Sequence, residues 1–200
     1  LAYLRTWQPN GWRWIGTNQF PYSDTAGYRA LVLMSNHDPT ALDDLPLNLW
    51  REMAPVILGY PMSAGLGHSG EQRQKELAAR CFHIAPDEIV DAVRRLIESE
   101  NSNEGSCQLC SLWRLELCWN EWLCNRLLDL AKSAELRAPL WGDLIETLIR
   151  HNHNPSQAYA EQISLRRNDE QSKMYAEQAA IALWCAASGK GWAVLWPEFM

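Results

Sequence analysis

The sequence predicts an all-α fold in which helical hairpins stack side by side as a solenoid. From residue 24 onward, apolar residues recur at helical spacing in one segment after another, with short breaks between segments. Alternation of apolar and polar residues, which marks a half-buried strand, is nearly absent. Pairing consecutive helices gives hairpins about every 35 residues, a period typical of helical-repeat proteins. These observations favour a stack of hairpins with little or no sheet.

The first half of the chain contains four predicted helices with recognisable starts. The first opens on Asp24, and the second starts at Pro46, since a residue without an N–H is tolerated in the first turn. Pro55 lies inside the second helix and should kink it. Ser69 is predicted to be the N-cap of the third helix, and Pro86 begins the fourth. The four segments are residues 24–34, 45–58, 69–85 and 85–101.

The second half continues the same pattern. Residues 106–119 are apolar nearly all round and are predicted to form a central helix that its neighbours cover completely. An Asn-Pro-Ser sequence at 154–156 and a Gly-Lys-Gly sequence at 189–191 mark clear breaks between helices. Further helices are predicted at residues 120–133, 138–152, 154–165 and 169–188, with another starting at 191.

Eleven tryptophans are far more than a chain of this length normally carries. Because each indole can bury a large apolar area, we expect most of them to pack between helices. The alternative is that a few of them line a groove and bind a ligand. The core prediction applies in particular to Trp113, Trp119, Trp122 and Trp184.

Residues 1–23 are rich in aromatic residues, Asn, Gly and Pro, and are predicted to form an ordered loop packed on the first repeat of a helical-repeat domain at 24–200. Within this loop we predict a partner-binding surface with the composition of an adaptable binding loop. The alternative is that the rings cap the open end of the stack, in which case replacing them by Ala would strongly destabilise the fold. The candidate residues are Trp12, Trp14, Phe20 and Tyr22.

Charge and hydropathy argue against several classes of protein. The formal net charge of −6 and the pI of about 5.4 disfavour a nucleic acid or an anionic membrane as the main partner. No stretch approaches the roughly 18 to 20 apolar residues that a bilayer span needs. The chain starts without Met or an apolar signal sequence and stops on apolar residues, so we expect a fragment of a longer polypeptide.

Three glycines, Gly65, Gly67 and Gly70, match the G-x-G-x-x-G pattern of dinucleotide-binding loops. Such a loop needs a buried strand before it and a helix opening on its last glycine, so that amide N–H groups and the helix dipole meet the pyrophosphate. A helix follows from Glu71, but a helix end and a Gly-Tyr-Pro turn precede the glycines. We therefore expect the glycines to join two helices, and no cofactor is predicted.

The cysteines superficially suggest a zinc site, because Cys107 and Cys110 have C-x-x-C spacing and Cys118 and Cys124 follow. On one continuous helix Cys110 and Cys118 would lie about 12 Å apart. Tetrahedral zinc needs each sulfur about 2.3 Å from one point. The six cysteines are thus predicted to be small buried hydrophobes without a metal, as in a reducing, cytoplasmic compartment.

The remaining polar residues predict no catalytic site. His151 and His153 lie at a helix C-terminus, where a partly charged imidazole interacts favourably with the dipole. The Arg pairs at 94–95 and 166–167 are typical of solvated faces, with ligand binding as the alternative. No nucleophile, base and oxyanion donor come together in the sequence, so no catalytic residue is predicted.

Several stretches, taken in order, resemble one family: FPYSDTAGYRALVLM, LPLNLWREMAPVILGYP, APDEIVDAVRRLIESEN, the long run from WRLELCWNEW to LIETLIRHN, AYAEQIS and GWAVLWPEF. They are similar to the helical-repeat region of large bacterial NACHT-type NTPases of the STAND class, many of which look like antiphage defence sensors. The resemblance implies a right-handed α-solenoid of HEAT- or TPR-like hairpins that acts as a scaffold and sensor arm. No P-loop is present, and no functional residue carries over from the family.

Functions of different classes therefore remain open. The first is a non-enzymatic recognition module that contacts a protein partner and other domains of the same polypeptide. The second is part of an α/α-toroid enzyme, in which Trp and acidic residues at helix ends bind and cleave a polysaccharide. A toroid would gather its acids into one cleft, whereas a solenoid offers an open concave face. A plain structural or oligomerisation domain is the third.

Overall fold

The computed structural model describes residues 4, 6–17, 19–61, 67–106, 108–166 and 169–187. None of these residues lies in a strand, so the all-α prediction is confirmed for this part of the chain. None of the described helices is both long and apolar enough to cross a bilayer. The α-helices are α1 (Gly11–Trp14), α2 (Tyr22–His37), α3 (Leu47–Gly59), α4 (Gly67–Ile84), α5 (Pro86–Ser102), α6 (Glu121–Ser133), α7 (Ala138–Arg150), α8 (Asn154–Ser164) and α9 (Glu170–Ala187). Two 3₁₀-helices are Pro39–Leu42 and Leu112–Leu115.

The chain divides into two compact units. Unit 1 comprises Leu1–Glu100 and Cys110–Cys118, and unit 2 comprises Asn101–Leu109 and Trp119–Met200. The aromatic N-terminal segment thus belongs to unit 1, together with α2 to α4 and most of α5. Helices α6 to α9 form unit 2. The stacking of hairpins into a right-handed solenoid stays a prediction.

Helices α3 and α4 form much of the core of unit 1. Helix α3 fully buries Trp50, Met53 and Ile57 and packs against α4, which buries Leu77 and Cys81. Burial of each large apolar side chain contributes roughly 1.5–3 kcal/mol to folding. The apolar faces of α3 and α4 are therefore the surfaces that meet.

The C-terminal end of α3 is closed by a side chain from α4. Gln74 is completely buried, and its Nε2 donates to the carbonyl of Ile57 at 2.6 Å and to that of Tyr60 at 3.1 Å. The last carbonyls of an α-helix have no partner within the helix, so buried ones need an outside donor. Gln74 supplies that donor.

The centre of the N-terminal segment packs against other parts of unit 1. Helix α1 approaches α3 so closely that a Cβ on Gly11 would lie 2.7 Å from Cγ of Pro55, and α3 continues through that proline. From α5, Arg95 donates to the carbonyl of Trp12 at 2.6 Å. Residues 1–23 were predicted to be a loop, whereas a turn of helix occupies their centre.

Two predicted helix starts are wrong. Helix α2 begins at Tyr22, and Asp24 is a buried side chain within its first turn, 1% exposed. The carboxylate of Asp24 accepts the indole N–H of Trp14 at 2.5 Å, and this contact places it in the core. Ser69 is not an N-cap, because α4 already begins at Gly67.

The predicted central helix at 106–119 is also wrong. The described residues there form turns and the short 3₁₀-helix Leu112–Leu115. Leu112, Leu115 and Cys118 are buried and lie three residues apart. That spacing keeps side chains on one side of a 3₁₀-helix, whereas an α-helix would turn them progressively apart. Apolar content alone therefore misled the assignment.

Four tryptophans that were predicted to be core are not fully buried, so that prediction is wrong. Trp122 is 40% exposed and Trp184 is 53% exposed. The guanidinium of Arg126 lies 5.8 Å from the ring centroid of Trp122, a cation–π contact that suits a half-exposed ring. Trp113 and Trp119 are intermediate in exposure.

Helix α7 is the centre of unit 2, because α6, α8 and α9 all pack against it. It buries Leu144 and Leu148 completely. After α7, Asn152 adopts φ 59°, and the N–H of His153 bonds to the carbonyl of Leu148 at 3.2 Å. This is the left-handed C-terminal turn that Asn tolerates. Helix α8 then begins at Asn154, as the Asn-Pro-Ser sequence predicts.

We expect Trp14→Ala to destabilise unit 1 by about 3–5 kcal/mol, because it leaves a cavity and removes the donor to the buried carboxylate of Asp24. Tyr22→Ala is the matched control, since that ring is 94% exposed and its removal should change stability by less than about 0.5 kcal/mol. Urea unfolding followed by circular dichroism measures both. Equal stabilities would show that Trp14 does not hold the segment in place.

Candidate functional site

A groove of about 1070 Å³ opens in unit 2, where the end of α6, the start of α7, the helix α8 and the start of α9 meet. Ligand sites commonly measure about 300–1,000 Å³, so this groove has room for several amino-acid side chains. Its apolar lining includes Leu136, Trp141, Tyr159, Ile163, Met174 and Tyr175.

Three aromatic rings form the floor of the groove. The centroid of Trp141 lies 6.1 Å from that of Tyr159 and 5.4 Å from that of Tyr175, with interplanar angles of 64° and 84°. Edge-to-face pairs of this kind are favourable beyond the area they bury. Trp141 is 3% exposed, so it supports the two tyrosines from beneath and leaves them to meet a ligand.

Two cations lie near the ring of Tyr159. The ammonium of Lys132 lies 5.3 Å from the ring centroid of Tyr159, and Arg166 lines the same groove. Burial raises the pKa of Tyr159, while the nearby positive charge of Arg166 lowers it. The guanidinium of Arg166 is therefore close enough to affect the ionisation of the Tyr159 hydroxyl. Two positive charges, those of Lys132 and Arg166, lie near this ring.

Acidic side chains also line the groove. The hydroxyl of Tyr175 donates to the carbonyl of Leu136, which fixes the ring against the start of α7. Burial raises the pKa of Tyr175; a hydrogen bond with Gln171 lowers it, and the carboxylate of Glu135 raises it. Glu170, in the first turn of α9, also lines the groove. Positive charges of Lys132 and Arg166 thus lie near Tyr159, and the negative charge of Glu135 lies near Tyr175.

A third cation at the groove, Arg137, is committed to the backbone. Its guanidinium donates to the carbonyls of Asn101, Asn103, Glu104 and Ser106 at 2.7 to 3.1 Å. The backbone N–H of Arg137 donates to Oδ1 of Asn101 at 2.8 Å. Arg137 therefore holds segment 101–106 against the N-terminus of α7.

A second cavity, of about 420 Å³, lies beside the turn between α7 and α8. There His153 Nδ1 lies 2.7 Å from Ser156 Oγ, and His153 Nε2 lies 3.2 Å from Asn125 Oδ1. The order serine, histidine, amide is that of a hydrolase triad. Ser156 is 0% exposed, however, and these contacts join the start of α8 to α6. The arrangement is a buried structural link between helices.

The expected charge on the two histidines does not fit this environment. Burial lowers the pKa of His153 and that of His151, whose ring stacks on Trp119 at 4.0 Å. Loss of hydration disfavours the charged imidazole. The favourable interaction with the helix dipole that the sequence suggested is therefore outweighed by desolvation.

The four predicted binding residues of the N-terminal segment do not form one exposed surface. Trp14 is buried in unit 1 and Phe20 packs on it, with 4.5 Å between ring centroids. Trp12 is half-buried under the guanidinium of Arg95, 5.3 Å from its centroid. Only Tyr22 of the four is largely exposed. Trp14 therefore acts as core, and partner binding by the other three stays a prediction.

The cysteine prediction is partly wrong. Cys81, Cys118 and Cys124 are buried, and burial raises the pKa of each, to about 12 for Cys118. Cys110 and Cys185 are exposed instead. Cys107 lies outside the described residues, as does Gly65 of the glycine pattern. Among the residues that are described, no group of three or more His, Cys, Asp or Glu side chains could hold a metal ion.

Sequence reasoning missed the groove. Its three rings come from α7, α8 and α9, and no short motif links Trp141, Tyr159 and Tyr175. The usable signals were a high aromatic content and the Arg pair at 166–167. Arg166 lines the groove, while Arg167 lies outside the described residues.

Replacing Arg137 by Lys should release segment 101–106, because an ammonium has three donors and lacks the planar fork that reaches four carbonyls. We expect a loss of roughly 2 kcal/mol in unfolding free energy and faster amide hydrogen exchange in residues 101–106. Arg150→Lys is the control, since it changes an exposed pair with Glu146 and should alter stability by less than about 0.5 kcal/mol. Unchanged amide hydrogen exchange in the Arg137 variant would show that Arg137 does not hold segment 101–106 in place.

The stability of unit 2 should fall as pH drops below about 6.5, the ordinary pKa of histidine. The unfolded chain binds a proton on His153 more tightly than the folded chain does, so protonation favours unfolding. The variant His153→Asn should show a smaller loss of stability between pH 7 and pH 5. Urea midpoints at several pH values measure this, and identical pH dependence in both proteins would refute the role of His153.

No protein-family model matches the chain, and searches of curated proteins and of solved structures give no significant match. The resemblance to NACHT-type NTPases therefore stays a prediction. The groove of unit 2 is the feature that bears on function.

Proposed function

We propose that this chain is a non-enzymatic recognition module, which binds a segment of a partner protein in the groove of unit 2. The observation that carries the proposal is the aromatic floor, in which Trp141 holds Tyr159 and Tyr175 at fixed positions. Tyrosine and tryptophan dominate the energetics of protein recognition because they offer large, rigid and amphipathic contact surfaces.

The surroundings of the rings support a peptide ligand. Met174 is 50% exposed at the same groove and adds an adaptable apolar surface. The groove is open, and charged side chains of both signs line it beside the aromatic floor. An apolar centre with a polar rim is the usual anatomy of a protein interface.

The wider setting of the module is part of the same proposal. The resemblance of the sequence to the helical-repeat region of bacterial NACHT-type STAND NTPases suggests a sensor arm in a multidomain, cytoplasmic protein. The all-α architecture of the described residues is compatible with that role. In such a protein, binding in the groove would report the partner to domains elsewhere in the polypeptide.

A polysaccharide-cleaving enzyme is the weaker alternative. Its support is that Glu135 and Glu170 line the same groove as the aromatic rings. Sugars stack on the exposed flat face of a ring, however, and the largest ring of this groove, Trp141, is buried. We therefore expect no saturable binding or hydrolysis of soluble oligosaccharides such as cellohexaose and xylohexaose.

Removing the ring of Tyr159 should weaken peptide binding in the groove. We expect Tyr159→Ala to weaken binding of a groove-directed peptide by about tenfold or more, as for an interface hot spot. Tyr22→Ala removes the same side chain from unit 1 and serves as control. Binding is measured by fluorescence anisotropy with labelled synthetic peptides that carry a Leu-Trp anchor.

The two variants also separate the two candidate surfaces. If Tyr22→Ala weakens peptide binding while Tyr159→Ala leaves it unchanged, the N-terminal segment is the recognition surface and the groove proposal is wrong. Circular dichroism of both variants shows that the comparison is made between folded proteins.

A further inference from the structure

We propose that the segment bound in the groove is acidic: it carries an apolar anchor for the aromatic floor and adjacent carboxylates that reach Lys132 and Arg166. This inference rests on the proposed function, because it specifies the chemistry of the partner at the same site. The ligand groups that bind the two cations are side-chain carboxylates of a peptide.

The two cations beside Tyr159 form no ion pair within the described part of the chain. Neither Lys132 nor Arg166 forms an ion pair with any residue that the structure describes. Elsewhere in the described chain, arginines do find carboxylates, as in Arg51 with Glu88 at 3.0 Å. In a chain with a formal net charge of −6, acidic partners are abundant. Two unpaired cations beside one ring are therefore available to a ligand.

The ring beside these cations favours a charged partner group. Lys132 lies over Tyr159 at 5.3 Å from the centroid, so the ring holds the ammonium at the groove. A cation that is already ordered loses less side-chain entropy when it pairs with a ligand. The carboxylate of an incoming segment would meet both Lys132 and Arg166 next to the apolar floor.

The carboxylate beside Tyr175 limits where the acids can lie. Glu135 is close enough to Tyr175 to raise its pKa, and like charges placed there would repel. Arg137 keeps its positive charge, but its N–H donors are used by backbone carbonyls and are not free to bind a ligand carboxylate directly. The ligand should thus be acidic on one flank of its anchor and neutral or basic on the other.

The test uses the full chain and three sets of fluorescein-labelled synthetic peptides. Each peptide has a Leu-Trp anchor with two flanking residues that are Asp-Glu, Asn-Gln or Lys-Lys, placed before the anchor in one version and after it in another. We expect the better Asp-Glu version to bind about tenfold more tightly than its Asn-Gln counterpart at low salt. This preference should shrink at about 0.5 M salt, where the charges are screened.

Matched variants assign the preference to the groove. Lys132→Met with Arg166→Gln should weaken the Asp-Glu peptide about tenfold and remove its advantage over the Asn-Gln peptide. Lys173→Met is the control, because this exposed lysine of α9 does not line the groove. It removes a positive charge from α9, outside the groove, and should change neither affinity by more than about twofold.

The possible outcomes distinguish the two proposals. If the Asn-Gln or Lys-Lys peptide binds as tightly as the Asp-Glu peptide, or if the double variant retains the acidic preference, the charge inference is overturned. The groove function then still stands, provided that Tyr159→Ala weakens the binding that remains. If no peptide of any set shows saturable binding at concentrations up to about 1 mM, both proposals are overturned.

Discussion

The floor of the groove depends on how one side chain, Arg137, holds the backbone at the start of α7. By donating to four carbonyls of segment 101–106, it satisfies acceptors that an irregular segment would otherwise leave to solvent. With residue 137 fixed, the neighbouring carbonyl of Leu136 faces the hydroxyl of Tyr175. That hydrogen bond sets the Tyr175 ring against Trp141. A charged side chain at the groove thus orders its apolar floor through backbone carbonyls.

Tryptophan serves two physical roles in this chain, and its environment decides between them. Trp14 and Trp50 are buried, and Trp14 satisfies its indole N–H with a buried carboxylate. Trp122 keeps one face near solvent and meets the guanidinium of Arg126 instead. An indole is both apolar and a cation acceptor, so residue counts do not separate core from surface. The groove combines the two roles, with a buried Trp141 beneath a cation-bearing Tyr159.

The sequence predicted helices well where a local signal marks their start. Pro86 begins α5 and the Asn-Pro-Ser sequence begins α8, because these signals act within one turn of the backbone. Prediction failed at 106–119, where a high apolar content indicated an α-helix but buried residues three apart suit the turns and the 3₁₀-helix found there. The groove could not be predicted, since its rings come from three helices that only tertiary packing brings together. The burial of Trp14 likewise depends on the carboxylate of Asp24 in the next helix.

The contrast between the two polar clusters of unit 2 favours recognition over catalysis. Ser156, His153 and Asn125 have the order of a catalytic triad, yet the serine is fully buried and burial lowers the pKa of the histidine. The ring nitrogens of His153 and the hydroxyl of Ser156 are used to link the start of α8 to α6. At the groove the opposite holds, because Lys132 and Arg166 form no ion pair with any described residue and stand at an open surface. Groups that a protein leaves unpaired at an accessible apolar site are those with which it can bind another molecule.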